Sequence, residues 1–350
     1  MTTLASLVLP TAESELWRYS RIGELELGDF RAAALPTSVV GVTASSDSKV
    51  ALDMVSSEAP DVFEAYNSEH AQVVHIATKR GEVVEAPVVV EHSLAESGVV
   101  CTPLLEIDAA ENSEITVVER FTSSDDARSL LIPSVRIRSA QSARVTYVQI
   151  NELGRATWSI GYQRASGERD SSISTSTIAL GGDYARVRAA VRLVGTGASA
   201  KQVALYFADG AQMHDFRTLQ DHVAPRTRSD LLFKGAVKDT AKSVYTGLIK
   251  IRDTADKAEA FQTNRNLTLS SGAWAESVPN LEIETNDVKC SHASTVGPID
   301  EEQRFYLESR GIRPEIAERL VVFGFFADVI DRLSAAAQPE ILRQKVGARI

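Results

Sequence analysis

Apolar and polar positions alternate through the middle of this chain. Between residues 185 and 193, Ala185, Val187, Ala189, Val191 and Leu193 alternate with Arg186, Arg188, Ala190 and Arg192. Residues i and i+2 of a strand share a face, so this segment predicts a strand with one apolar face and one face carrying three arginines. The period returns at 202–207, where Val203, Leu205 and Phe207 are expected to point inward, and at Tyr245, Gly247, Ile249 and Ile251. Shorter β-branched runs stand at 72–77 and 86–90. Glycine-containing turn signals at 181–182, 195–197, 209–210, 234–235 and 270–272 punctuate them. Residues 71–297 therefore read as a mainly β body: a sandwich, barrel, propeller or β-helix, among which periodicity does not choose.

The flanks differ. Residues 1–70 are mixed, with a partly helical pattern (Leu16, Trp17, Tyr19, Ile22, Leu25, Leu27) broken near Gly23, and a helical turn opened by Pro60 and Asp61. Residues 298–350 turn helical. Asp300 with Gln303 makes a capping-box-like start and Gly311 a C-terminal stop. Pro314 suits the first position of a second helix, Gly324 is expected to interrupt it, and Pro339 to open a short basic tail. Phe305, Tyr306, Leu307, Phe323, Phe325 and Phe326 crowd this tail. So short a segment buries only part of that surface itself, which points to a partner groove.

The net charge of −10 argues against nucleic-acid and anionic-membrane partners. No apolar run approaches the ~18 residues of a membrane span. The first positive charge is Arg18, so the run from Leu4 to Leu9 lacks a signal peptide's basic flank. The two cysteines, Cys101 and Cys290, make no disulfide framework and fit a reducing, cytoplasmic setting.

Candidate chemistry concentrates at Cys290-Ser291-His292. In an extended segment the thiol and the imidazole share one face, and both are good ligands for iron. Two ligands do not close a tetrahedral site, so the remainder must come from elsewhere in the chain or from a partner. A buried thiol beside a hydrogen-bonded core histidine is the bland alternative. Cys101, in an apolar run, reads as a small core residue. His214 and the Asp221-His222 pair lack the nucleophile elbow of a hydrolase and read as structural. His70, His75 and His92 look scattered and unpartnered. The stretch from Gly195 to Lys201 lacks the Gly-Lys-Ser/Thr ending of a phosphate loop and reads as a turn between strands, so no ATP site is visible.

Six ordered segments carry a resemblance: His222-Val-Ala-Pro-Arg-Thr-Arg-Ser-Asp230, Phe233-Lys234-Gly235, Gln262-Thr263-Asn264-Arg265-Asn266-Leu267, Pro279-Asn280-Leu281-Glu282-Ile283, Cys290-Ser291-His292, and the stretch from Tyr306 to Ile312. Together they resemble the SufB/SufD family of iron–sulfur cluster assembly scaffolds. The resemblance implies a right-handed parallel β-helix between helical end pieces, and a non-catalytic subunit that pairs with SufB through the β-helix. It also implies that the helical tail docks the ATPase SufC, with Phe305, Tyr306, Arg310, Gly311, Phe323 and Phe325 as expected contacts. His292 and Cys290 are then metal-site residues for a transient iron–sulfur cluster shared with SufB, with no cofactor expected on the isolated chain. SufB-like chains carry a Cys-Gly-Ala-His element where this one has residues 272–277 without a thiol, and a glutamate at the position of His292. In both respects the resemblance is SufD-like.

Two other classes compete. Arg186, Arg188 and Arg192 on one strand face would suit a β-helix enzyme acting on acidic polysaccharide, and Cys290 with His292 would suit a self-contained metal-binding protein. A homodimer of the isolated chain would follow from an exposed β-helix edge.

Overall fold

In the computed structural model, which describes residues 3–350, the alternating runs stack into a parallel β-solenoid built of two long sheets. One sheet runs through Trp158–Gly167, Tyr184–Leu193, Met213–His222 and Lys242–Ile251 to Trp274–Ile283. The other runs through Arg144–Glu152, Ser172–Ala179, Ser199–Ala208, Arg228–Val237 and Glu259–Thr268 to Lys289–Gly297. Each turn restores the register: Ser199 lies beside Arg228, Arg228 beside Glu259, and Glu259 beside Lys289. Sandwich, barrel and propeller are excluded by this pairing. What repeats is the polarity of each face, not residue identity, so no sequence repeat is visible.

One corner shows how the turns stack. Asn112, Ser142, Asp170, Gly197, Arg226 and Lys257 occupy successive rungs with φ between 54° and 76°. Each donates its N–H to the loop of the next turn, as Asp170 does to Thr196 and Arg226 to Asp256. The glycines at 195 and 197 thus belong to a solenoid corner between two strands, as their sequence suggested.

Both outer faces are covered, which changes the reading of two strands. Val203, Leu205 and Phe207 were expected inward. They face outward, packed with Leu232 against Val322, Phe326, Val329 and Ile330 of the helical tail, while Gln202, Ala204 and Tyr206 face the lumen. The arginine face of Tyr184–Leu193 is not an open binding surface either. Arg186 and Arg188 are 1% and 5% exposed. Helices α1 (Leu52–Val55) and α2 (Val62–His70), with the extended residues before them, lie over it. Arg164 pairs with Glu64 and Glu58, Arg188 with Glu58, and Arg186 with Asp215 while bonding the Leu16 carbonyl. This arginine layer anchors the N-terminal segment, and the polysaccharide-enzyme reading loses its face.

The tail comprises α3 (Glu301–Ser309), α4 (Pro314–Asp331) and α5 (Pro339–Gly347). Asp300 caps α3 by accepting from the N–H groups of Glu302 and Gln303, and Gly311 stops it at φ +86°. Pro314 opens α4 as expected. Gly324 does not interrupt it: α4 continues to Asp331, because its apolar face remains packed on the sheet through Phe326, Val329 and Ile330.

Candidate functional site at the open end of the solenoid

Both sheets end on the same rung. Trp274–Ile283 and Lys289–Gly297 each pair on one side only, and no described strand meets their outer edges. Apolar side chains stand exposed there, including Trp274, Leu281, Ile283 and Val296. Ten- and nine-residue strand edges with bare backbone donors and acceptors form a template for pairing with another chain.

The register fixes which residues of this rung look into the lumen. Cys290 continues the column Ala200, Ser229, Ala260; His292 continues Gln202, Leu231, Gln262; Ser294 continues Ala204, Phe233, Asn264. The thiol and the imidazole therefore share the lumen face, as the i, i+2 spacing requires. Cys290 is half-buried, and burial pushes its thiol pKa up. His292 is exposed, and among the described residues nothing hydrogen-bonds its ring. Across the lumen the Ser294 hydroxyl donates to Ser277 at 2.7 Å. Among the described residues no three His, Cys, Asp or Glu side chains converge as a metal site. The rung offers two soft or borderline ligands beside an open edge, and a complete coordination sphere needs more.

The rungs beneath hold this end in shape. Phe233 fills the lumen, Lys234 points outward, and Gly235 lies between Tyr206 and Asn266 in the ladder. Because Gly235 has no side chain, the Tyr206 ring crosses its position and donates to Asn266 Oδ1 at 2.6 Å. Asn264 donates to Tyr206 Oη at 3.0 Å, and Asn266 to Asn264 at 2.8 Å. A β-carbon at 235 would overlap the Tyr206 ring. Gly235→Ala is expected to cost about 1–3 kcal/mol, read as a lower urea midpoint. An unchanged midpoint would mean that Tyr206 can vacate the position freely.

Comparison with known proteins supplies the family. The family model described as SUF system FeS cluster assembly, SufBD core domain, matches residues 92–325. An iron–sulfur cluster assembly SufBD family protein of Mycobacterium tuberculosis is 34% identical over 98% of this chain and 88% of its own length. The iron–sulfur cluster assembly protein SufD of Escherichia coli is 32% identical over 79% of this chain and 66% of that protein. That of Bacillus subtilis is 32% identical over 65% and 52%. The chain belongs to the SufB/SufD family. It is a SufD-type member, and its role lies in iron–sulfur cluster assembly.

In this SufD-type chain the tail residues singled out from sequence separate into two groups. Phe305 and Tyr306 on α3 are 71% and 58% exposed, with Arg310 over the Tyr306 ring at 5.2 Å and Gly311 closing the helix. Phe323 and Phe325 on α4 are half-buried. Phe323 lies against Gly347 of α5, and Phe325 lies under the Lys234 ammonium at 4.7 Å. Lys234 also donates to the Phe325 carbonyl at 2.8 Å and to Asp328 at 2.5 Å, joining the sheet to α4. A groove of about 1110 Å³ separates α3 from the solenoid, with Arg265, Thr295, Tyr306 and Leu320 among its walls.

The remaining candidates are structural. Cys101 is fully buried, and burial with Glu96 nearby raises its pKa to about 11. His222 bridges Thr227 and Ser229 at 2.8 and 2.7 Å, tying a strand end to the next strand's start. The histidines read as unpartnered have partners: His75 meets Glu106, His92 meets Glu119 and Thr37, and His70 stacks on Tyr66. Sequence reasoning gave no separate role to Lys234 or Gln262, although both lie in quoted motifs. A lysine amid Phe, Gly and Ala, and an amide at i, i+2, i+4 with two asparagines, were the available signals.

No described helix is long and apolar enough to cross a membrane.

Proposed function

We propose that this chain is a non-catalytic scaffold subunit on which an iron–sulfur cluster is built at the open end of the solenoid. A SufB-type partner would add its strands to the edges of Trp274–Ile283 and Lys289–Gly297. The nascent cluster is the cargo, held between His292, with Cys290 beside it, and ligands of that partner. The observation that carries this reading is the incomplete ligand pair: it faces the lumen at the last rung, where no described strand meets either outer edge. A SufC-type ATPase would dock on the helical tail, where α3 presents Phe305 and Tyr306. Movement of α4 would reach the sheet through Lys234, two rungs below the site. A cytoplasmic setting belongs to the same proposal, as does self-pairing of the isolated chain through the same edges.

Co-expression with the SufB and SufC of the same source tests this. The three chains are expected to purify as one complex, and His292→Ala to leave the complex assembled while removing most of its visible iron–sulfur absorbance. Normal absorbance in the mutant complex, or no association with either partner, would sink the proposal.

A further inference from the structure

The lumen one rung below His292 holds a side chain that the fold leaves unsatisfied. Gln262 is 1% exposed, and neither its amide oxygen nor its amide nitrogen has a hydrogen-bond partner among the described residues. The same strand shows that the lumen can satisfy amides, since Asn264 and Asn266 are bonded to Tyr206, Phe233 and each other. Burying an unpaired amide forfeits its hydration with nothing in return. Space is nonetheless kept for it. Gly247 stands opposite within a strand, where a β-carbon would lie 2.5 Å from Gln262 Nε2 and would also strike Tyr245 Oη. A glycine inside a strand forfeits packing, so a second stability cost converges on the same amide.

Register places Gln262 directly beside His292 in one lumen-facing column, at the ~4.8 Å spacing of adjacent strands. Among the described residues the His292 ring is likewise without a partner, and the register turns both groups toward the same lumen. Competing donors at this level are few: Leu231 continues the column below, and the Ser294 hydroxyl is taken by Ser277.

We propose that Gln262 contacts the cargo, its amide N–H donating to a sulfur or solvent ligand of the cluster held at His292. This rests on the assignment of His292 made above. Hydrogen bonds to cluster sulfurs set the charge state a site tolerates, and outer-shell partners typically change metal retention 10- to 100-fold. The amide is then kept unpaired in the empty protein because its partner arrives with the substrate.

The test uses the complex with both partners together with the isolated full chain. Gln262→Met removes the donor at similar volume, Gly247→Ala keeps the amide but crowds it, and His292→Ala serves as the reference. Q262M is expected to assemble normally, and the isolated chain to melt at the wild-type temperature or above, since an unsatisfied buried amide is gone. Its cluster should nevertheless pass to an iron chelator about ten-fold faster, with shifted Fe–S bands in resonance Raman spectra. G247A should accelerate release in the same direction. Wild-type release and spectra in Q262M, or a melting temperature lowered by several degrees, would overturn the inference, the latter by showing that Gln262 serves the fold. The two assignments fail separately. Loss of cluster in H292A beside wild-type behaviour of Q262M removes only the role of Gln262. Loss in Q262M beside a normal H292A removes the assignment of His292 and retains the contact to Gln262.

Discussion

Replacing Arg186 by alanine is expected to lower stability by about 3–5 kcal/mol and to loosen the N-terminal segment. The guanidinium is 1% exposed and makes three contacts at once. It reaches Asp215 Oδ2 at 2.5 Å, donates to the Leu16 carbonyl at 2.5 Å, and lies 4.2 Å over the Trp17 ring. Burial works against its charge, but Asp215 with Tyr184, Tyr162 and Asp61 outweighs it and raises the arginine's pKa. Truncation leaves Asp215, itself fully buried, with Arg217 at 2.8 Å and the Tyr184 hydroxyl at 3.0 Å. The buried carboxylate then keeps one cation of two while the Leu16 carbonyl and the Trp17 ring lose their contact, which is why the loss exceeds that of a surface ion pair. Arg217 donates to the Arg18 carbonyl, so the segment is held twice and should loosen without leaving. Urea unfolding reads the stability, and limited proteolysis reads cleavage ahead of residue 30. A cost below about 1 kcal/mol with unchanged proteolysis would show that the arginine layer is not the anchor. Arg186→Lys, which keeps the charge but not the fork, should fall between the two.

The arginine layer also shows where sequence reading stops. The alternation at 185–193 gave the strand and its two faces correctly, because period 2 is a property of the backbone. It could not say what lies against each face. The carboxylates facing Arg186, Arg188 and Arg192 come from Asp215, Glu58 and Asp221 on other segments of the chain, so three arginines on one strand face looked like an open basic stripe. The same gap inverted the strand at Ser199–Ala208. With helices outside and lumen inside, both faces are buried, and the more apolar of two buried faces need not be the inner one. The shared face of the candidate pair was more legible. Cys290 and His292 sit at i, i+2 in a real strand, and that spacing alone puts both on one face. Gln262 was hidden because amides at alternate positions normally mark a solvent face, whereas here they line the lumen. The helix start at Asp300 and stop at Gly311 were readable because capping is local chemistry. Gly324 misled because tertiary packing of α4 overrides one residue's propensity.

Acid should destabilise the protein well above the range where its ordinary carboxylates titrate, and two buried histidines set that window. His214 is lowered to about 4, first by burial and then by Arg349, with Gly181 and Asp209 acting against them. His222 is lowered to about 4 by burial, which outweighs the nearby Asp221. Each ordinarily titrates near 6.5. Between pH 6.5 and 4 the unfolded chain binds protons at these positions that the folded chain refuses. Stability therefore rises with pH across that window: it is complete above 6.5, falls as pH drops, and loses nothing further from these groups below about 4. The two histidines together account for several kcal/mol, on the order of 3 kcal/mol each. Urea midpoints taken at pH 7.5, 6 and 5 measure the slope, and His222→Gln should remove about half of it while lowering stability at neutral pH. A flat profile, or an H222Q profile parallel to wild type, would mean that these rings accept protons in place.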